Sequence, residues 1–327
     1  MKRHRCSRIR TLVAAGVMLP SAVAAQGAPW PEKPVRIVLG FAAGSSVDAI
    51  ARLLGNRLGE TWTRPVLIEN VPGSAGNLAA ERVARATPDG YTLYYSGNAA
   101  IVVNPSLYEK LGFDPARDFV PITNLVETPN VLAVHPSLPV KSVQALVALA
   151  KARPGELSYA SAGSGTSQHL AAELFNTMAG VKTVHVPYKL AHQQSLDLLG
   201  GRVEFSFGNI VGLAPFIRQG RLRALAVSSL QRSSVFPDLP TMDELGFAQF
   251  DATAWFGLLA PTGTPAAIVR RIHEDARRAL AGTELRARLT EFGAQVIANT
   301  PEQFAAQIRA ETPKWAKLVK ALGLKAD

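Results

Sequence analysis

Short apolar runs alternate along this chain with longer stretches in which apolar residues return every three or four positions. The short runs predict strands over 35–41, 65–70, 91–97, 131–135, 157–162, 183–188, 203–208, 222–228 and 253–260. The periodic stretches predict helices over 46–59, 75–86, 141–152, 166–179, 192–199, 210–219, 265–281 and 301–322. Strand followed by helix almost throughout argues for an α/β protein with mostly parallel sheets flanked by helices. Two of the helices have marked starts. Thr264-Pro265 and Thr300-Pro301 each set a capping hydroxyl before a proline at the first helical position, and Gln303 completes a capping box in the second. The last helix, with Phe304, Ile308, Trp315 and Leu318 at helical spacing, is expected to pack back on the first part of the chain.

One stretch stands out, LSYASAGSGTSQHLAAELF at 157–175. A strand runs into small residues and then opens a helix with Leu170, Leu174 and Met178 on one face. Gly163 and Gly165 let the main chain approach a ligand, and Ser161, Ser164, Thr166 and Ser167 add hydroxyls. The start of the helix contributes partial positive charge. The same design appears at 35–58, where a strand enters Ala42-Ala43-Gly44-Ser45-Ser46 before a helix carrying Ile50, Leu53, Leu54 and Leu58. Ser45 and Asp48 have capping-box spacing, and Asp48 is either the N3 cap, a ligand contact or a charge that tunes the loop. Two anion-competent helix starts far apart in the chain suggest a ligand held between two lobes. Neither stretch is a phosphate loop, because both lack the Gly-Lys-Ser/Thr ending and Gly-x-Gly-x-x-Gly.

Length and composition fit this picture. A chain of 327 residues that is 47% hydrophobic can bury a sizeable core and usually divides into two lobes. With no low-complexity linker in the sequence, the lobes must be joined by ordered crossings, expected near residues 125 and 252. The first residues, MKRHRCSRIR, carry five bases and no acid. Apolar Leu12 to Leu19 follows, then Pro20 and small residues, the layout of a secretory signal peptide cleaved after Ala25 or, as second choice, Gly27. That apolar run is shorter than the roughly 20 residues needed to span a bilayer. The leader holds five of the 35 bases and none of the 25 acids, so the formal charge of +10 falls to +5 beyond it. Arg270, Arg271, Arg277 and Arg278 read as a solvated helix face, and dispersed charge of this kind argues against nucleic acid. Cys6, the single cysteine, precedes the apolar run, which leaves no disulfide, thiol nucleophile or cysteine metal site in the exported chain.

Catalytic patterns are absent from the two loops. His169 stands three residues into its helix, where an imidazole can donate to an anion. His135, His185, His192 and His273 show no metal-ligand spacing. Gly163 and Gly165 flank Ser164 directly, so no Gly-x-Ser-x-Gly elbow is formed. The α/β hydrolase reading, the alternative of a different class, therefore lacks an activated nucleophile.

The segments WPEKPVRIVLGFAAGSSVDAIAR, PGSAGNLAAERVARATPDGYTL, NPSLYEKLGFDPARDFVPI, SAGSGTSQHLAAELF, VPYK, DLLGGRVEFSF, GRLRALAVSS, PDLPTMDELGF, WFGLLAPTGTPAAIV and TPEQFAAQIRAETPKW, in this order, closely resemble the Bug family. These are the periplasmic substrate-binding proteins of tripartite tricarboxylate transporters. The resemblance implies a two-lobed Venus-flytrap protein of the type II periplasmic class, with residues 26–125 and 252–327 in one lobe and 126–251 in the other. It implies capture of a small carboxylate for membrane transporter subunits or a sensor protein, by a monomer that needs no cofactor. One carboxyl group is then held by the two strand-to-helix loops, partly through waters. The residues carried over are Phe41, Ala42, Gly44, Ser45, Ser46 and Asp48 in the first loop and Ser161, Ser164, Gly165, Thr166 and His169 in the second. Asn98, Tyr188, His192 and Asn209 are expected to face the far end of the ligand. The chain departs from the family pattern at Leu190-Ala191-His192-Gln193-Gln194 and at Gly208-Asn209, where the family usually turns with small residues and carries Asp-Asn. These departures bear on ligand identity.

Overall fold

The computed structural model describes residues 30–188 and 191–326, and the expected leader lies outside them. The strands are β1 (Val35–Leu39), β2 (Val66–Asn70), β3 (Thr92–Gly97), β4 (Phe119–Thr128), β5 (Asn130–Val134), β6 (Ser158–Ser161), β7 (Val184–Pro187), β8 (Phe205–Asn209), β9 (Arg223–Val227), β10 (Ala254–Pro261) and β11 (Gln295–Val296). They form two sheets, ordered β11-β4-β10-β3-β1-β2 and β7-β6-β8-β5-β9. Around the first lie helices α1 (Ser46–Trp62), α2 (Asn77–Ala84), α3 (Asn104–Leu107) and α4 (Pro115–Asp118), joined later in the chain by α9 (Ala266–Ala281), α10 (Thr283–Glu291) and α11 (Pro301–Leu322). The second carries α5 (Val143–Ala152), α6 (Ser167–Ala179), α7 (Ala191–Leu199) and α8 (Ile210–Arg218).

Every strand and helix predicted from the periodicity is present, with ends shifted by a few residues. The sheets, however, are mixed rather than mostly parallel. β1 runs parallel to β2 and β3, and β6 to β7 and β8. β10 lies antiparallel between β3 and β4, β5 antiparallel between β8 and β9, and β11 antiparallel to β4. β5 and β10 are the strands entered directly from the other sheet, β5 after Pro129 alone and β10 after a stretch without a helix. Strand–helix alternation carries no signal of their direction.

The two passages between sheets are stitched together by buried polar groups. The Asn130 N–H donates to Ser228 Oγ at 2.9 Å, and Asn130 Nδ2 to the Ala252 carbonyl at 3.0 Å. Ser228 Oγ also donates to that carbonyl at 3.2 Å, while the Ala252 N–H donates to the Ser228 carbonyl at 3.0 Å. Each pairing satisfies a group that costs about 1–3 kcal/mol when buried alone. The waist is thus an ordered crossing, with its backbone fixed from both sides.

Helix ends mostly follow the local signals. Thr300 and Gln303 form the reciprocal capping box, and Phe304 then meets Trp255 of β10 edge to face at 5.1 Å, which docks α11 on the first sheet. Thr264 departs from expectation: its hydroxyl donates to the Pro261 carbonyl at 2.8 Å, and α9 begins after Pro265 without a side-chain cap. In α6 the buried face is Leu170, Ala171 and Phe175, with Leu174 half-buried and Met178 turned out at 39% exposure.

Candidate functional site

The first loop leaves β1 at Gly40 and enters α1 through Ser45, whose Oγ accepts the Asp48 N–H at 3.2 Å. Asp48 does not complete the box by reaching back to Ser45. Its Oδ2 takes the Gly44 N–H at 2.9 Å and Arg52 Nε at 3.0 Å, and its Oδ1 takes Asn70 Nδ2 at 2.9 Å. Asn70, at the end of β2, also donates to the Phe41 carbonyl at 3.0 Å. Burial alone would raise the Asp48 carboxyl, but these donors together outweigh it and hold the group below the usual carboxylate range. Asp48 is therefore an inward strut of the loop, and the guanidinium of Arg52 is committed to Asp48 and Asn70.

The second loop joins β6 to α6. Thr166 caps the helix, accepting the His169 N–H at 3.5 Å and donating to the Gly163 carbonyl at 2.8 Å. The Gly163 N–H goes to Ser161 Oγ at 3.1 Å, the Gly165 N–H to His169 Nδ1 at 3.1 Å and the Ala162 N–H to Gln168 Oε1 at 2.7 Å. Among the described residues, no protein acceptor serves the N–H groups of Ser46 and Val47 at the first helix start or of Ser164, Ser167 and Gln168 at the second. The hydroxyls of Ser46, Ser164 and Ser167 are likewise without a protein partner among the described residues. What the loops offer outward is a set of neutral donors at two helix N-termini, a surface that attracts anions.

Close packing sets the first loop against the end of β3 and the second against the segment that follows it. A Cβ added at Gly97 would lie 3.2 Å from the Phe41 ring, and Phe41 itself meets Phe256 edge to face at 5.6 Å. Beyond Asn98 the chain makes one π-helical turn, Ala99–Val103, and reaches α3. There Asn104 Nδ2 donates to Asn77 Oδ1 at 2.6 Å, and Leu107 and Asn104 sit against Gly165 of the second loop. Asn98 is buried, and its Nδ2 has no partner among the described residues. The remaining candidates are distributed differently. The Tyr188 hydroxyl donates to Asp197 at 2.7 Å, and His192 is exposed at the start of α7. Asn209 caps α8 through Oδ1 and donates from Nδ2 to Thr128 at 2.8 Å, beside the crossing.

Asn70, Asn104 and His185 were not singled out by their local sequence. His185 is the most consequential: in β7 it pairs in register with Tyr159, its ring stacks on His169 with centroids 4.1 Å apart, and its Nε2 lies 2.6 Å from Ser161 Oγ. Parallel register between two predicted strands is the signal that would have found it. Ser161 is fully buried, and its hydroxyl is also bound to both polar groups of Gly163, so it is held within the loop.

Burial, and then the neighbouring His185, lower the His169 imidazole to about 3, and burial lowers His185 to about 4. Both rings are neutral in the folded protein at pH 7. An unfolded histidine titrates near 6.5, so the unfolded chain binds more protons below that value. The stability due to each neutral ring is complete above pH 6.5 and is lost as pH falls, by about 1.4 kcal/mol per unit per imidazole at most. Urea unfolding from pH 7.5 down to 5.5 should show this decline, and His185→Gln should reduce its slope. Equal slopes for the two proteins would refute the assignment.

The family model described as the tripartite tricarboxylate transporter family receptor matches residues 50–324. Protein BugT of Bordetella pertussis is 35% identical over 297 residues, which cover 90% of this chain and 91% of BugT. Among solved structures, R. palustris Rpa4515 with adipate aligns with a TM-score of 0.85 at 35% identity over 90% of this chain and 99% of that one. MatC from Rhodopseudomonas palustris with bound malate aligns with a TM-score of 0.81 at 33% identity, over 89% of this chain and 100% of MatC.

Proposed function

Given that the chain belongs to the tripartite tricarboxylate transporter receptor family, the Bug proteins of the sequence resemblance, we propose that it is a periplasmic receptor that closes its two lobes on a small carboxylate. Its fold is the two-lobed α/β fold of periplasmic binding proteins. The observation that carries the proposal is the pair of strand-to-helix loops, one on each sheet, whose outward donors are uncharged. In this reading residues 31–128 and 252–326 form one lobe and 130–251 the other, because β4 stays in the first sheet through Thr128 and moves the first crossing from residue 125 to Pro129. Ser46 and Ser164 and the first-turn N–H groups of α1 and α6 hold the carboxylate, while Phe41, Ala42, Gly44, Ser45, Ser161, Gly165, Thr166 and His169 shape the two loops. Asp48 holds the first loop rather than the ligand, and the free amide of Asn98 serves the ligand's far end. Tyr188 and Asn209 act through Asp197 and Thr128, and His192 lies at the rim. The ligand is then delivered to a membrane transporter or presented to a sensor.

Magnitudes support closure by both lobes. Hydrogen bonds to a charged group are worth about 1.5–3 kcal/mol each. Four to six of them offset an association cost of roughly 4–15 kcal/mol and leave about −8 kcal/mol, micromolar affinity. One loop alone falls short. Relatives' ligands supply the probes, since two of the aligned structures are those of Rpa4515 with adipate and MatC with bound malate. Calorimetry with adipate, malate and the neutral diamide of adipate should give micromolar binding of at least one acid and none of the diamide. Small-angle scattering should show a smaller radius of gyration with the bound acid. Binding of neither acid, or turnover of ester substrates, would overturn the proposal in favour of another ligand class or an enzyme.

A further inference from the structure

We propose that His169 and His185 are positioning residues for the second loop, and that His169 works as the neutral tautomer whose Nδ1 is bare and whose Nε2 carries the proton. The proposal deepens the reading of that loop as half of a carboxylate site, and rests on it only for its binding readout.

His169 is 3% exposed and grips its own loop. Its Nδ1 accepts the Gly165 N–H at 3.1 Å, which requires a lone pair on that nitrogen. His185 does the same for the other glycine at one remove. Its Nε2 and Ser161 Oγ share a hydrogen bond of 2.6 Å, and Ser161 Oγ in turn accepts the Gly163 N–H at 3.1 Å. The imidazoles are stacked at 4.1 Å, and Tyr159 lies against them, 4.9 Å from His185 and 6.4 Å from His169. The Tyr159 hydroxyl is held by Glu173 of α6, so the stack is fixed from the helix side as well.

The consequence is geometric. Gly163 and Gly165 alternate with Ser164, and with the Gly165 N–H taken by His169 and the Gly163 N–H by Ser161, the Ser164 N–H and hydroxyl are left without a protein partner among the described residues. A proton on His169 Nδ1 would set a donor against the Gly165 N–H and place charge in a buried stack, and both effects push the loop out of this arrangement. The neutrality of the two rings follows equally from their burial.

The amide of asparagine can put an oxygen where Nδ1 lies, whereas the longer glutamine puts its amide nearer Nε2. Nitrogen-15 spectra of histidine-labelled protein should show His169 neutral with the proton on Nε2. Exchange of the Gly165 N–H should be slow in the wild type and in His169→Asn, and faster by about tenfold or more in His169→Gln, the equivalent of one lost hydrogen bond. Affinity for adipate or malate, whichever the wild type binds, should follow the same order. Equal exchange in the two variants, or a proton found on Nδ1, would overturn the proposal. If the wild type binds neither acid, the carboxylate reading fails by itself, and the tautomer and exchange measurements still decide the positioning role.

Discussion

Asp275→Ala should lower folding stability by about 3 kcal/mol, and Asp275→Asn by about half as much. The carboxylate is 1% exposed in the third turn of α9, yet it stays ionised. Burial by itself would raise it, but hydrogen bonds from Arg278, Trp62 and Arg271 outweigh burial and hold it below the ordinary range. Trp62, the last residue of α1, donates its indole N–H to Oδ2 at 2.7 Å, and Arg271 Nε reaches the same oxygen at 2.8 Å. Alanine removes the acceptor from a buried indole and from two guanidiniums. Those guanidiniums are 51% and 61% exposed and can turn to water, which sets the loss at the low end for a broken buried pair. Arg271→Ala or Arg278→Ala alone should cost less than about 1 kcal/mol. Urea unfolding of the four variants followed by circular dichroism checks this order. A loss for Asp275→Ala no larger than that of the arginine variants would contradict it.

That clamp joins residues 213 positions apart, and distance of this kind marks where the sequence stops being readable. Caps written within four residues were legible: Ser45 and Thr300 both accept the N–H their spacing pointed to. Asp48 had the right spacing, but its carboxylate turns to Gly44 because Asn70, brought alongside by β2, holds its other oxygen. β4 was visible only as a crossing near residue 125, because Pro121 and Asn124 speak against a central strand. In the fold Pro121 stands opposite Leu259 at a shift in register, where the missing N–H is tolerated. α10 escaped because Leu285 and Leu289 alone mark its buried face. Both strand-to-helix turns could be named from composition, whereas the His169–His185 stack depends on β6 and β7 lying side by side in register.

Gly165→Val should weaken every acid the protein binds by about a hundredfold or more, through two separable causes. Gly165 has φ +80°, a left-handed conformation that costs other residues about 1–2 kcal/mol. A Cβ there would also lie 2.6 Å from Leu107 Cδ2 and 3.0 Å from Asn104 Oδ1, across the junction on the element that follows β3. Both neighbours are buried, so they have little room to yield. Gly44 in the first loop supplies the control, with nearly the same φ of +78° and nothing within 4 Å of an added Cβ. Asparagine tolerates left-handed backbone better than other side chains. Gly44→Asn should therefore keep affinity within about threefold, and Gly165→Asn should lose at least about tenfold, the difference being the steric term alone. Because the obstruction lies between the lobes and not within one, the Gly165 variants should also leave the radius of gyration large when ligand is added. Calorimetry and scattering on the four proteins test both statements, and equal affinities for the two asparagine variants would show that Gly165 is needed for its backbone alone.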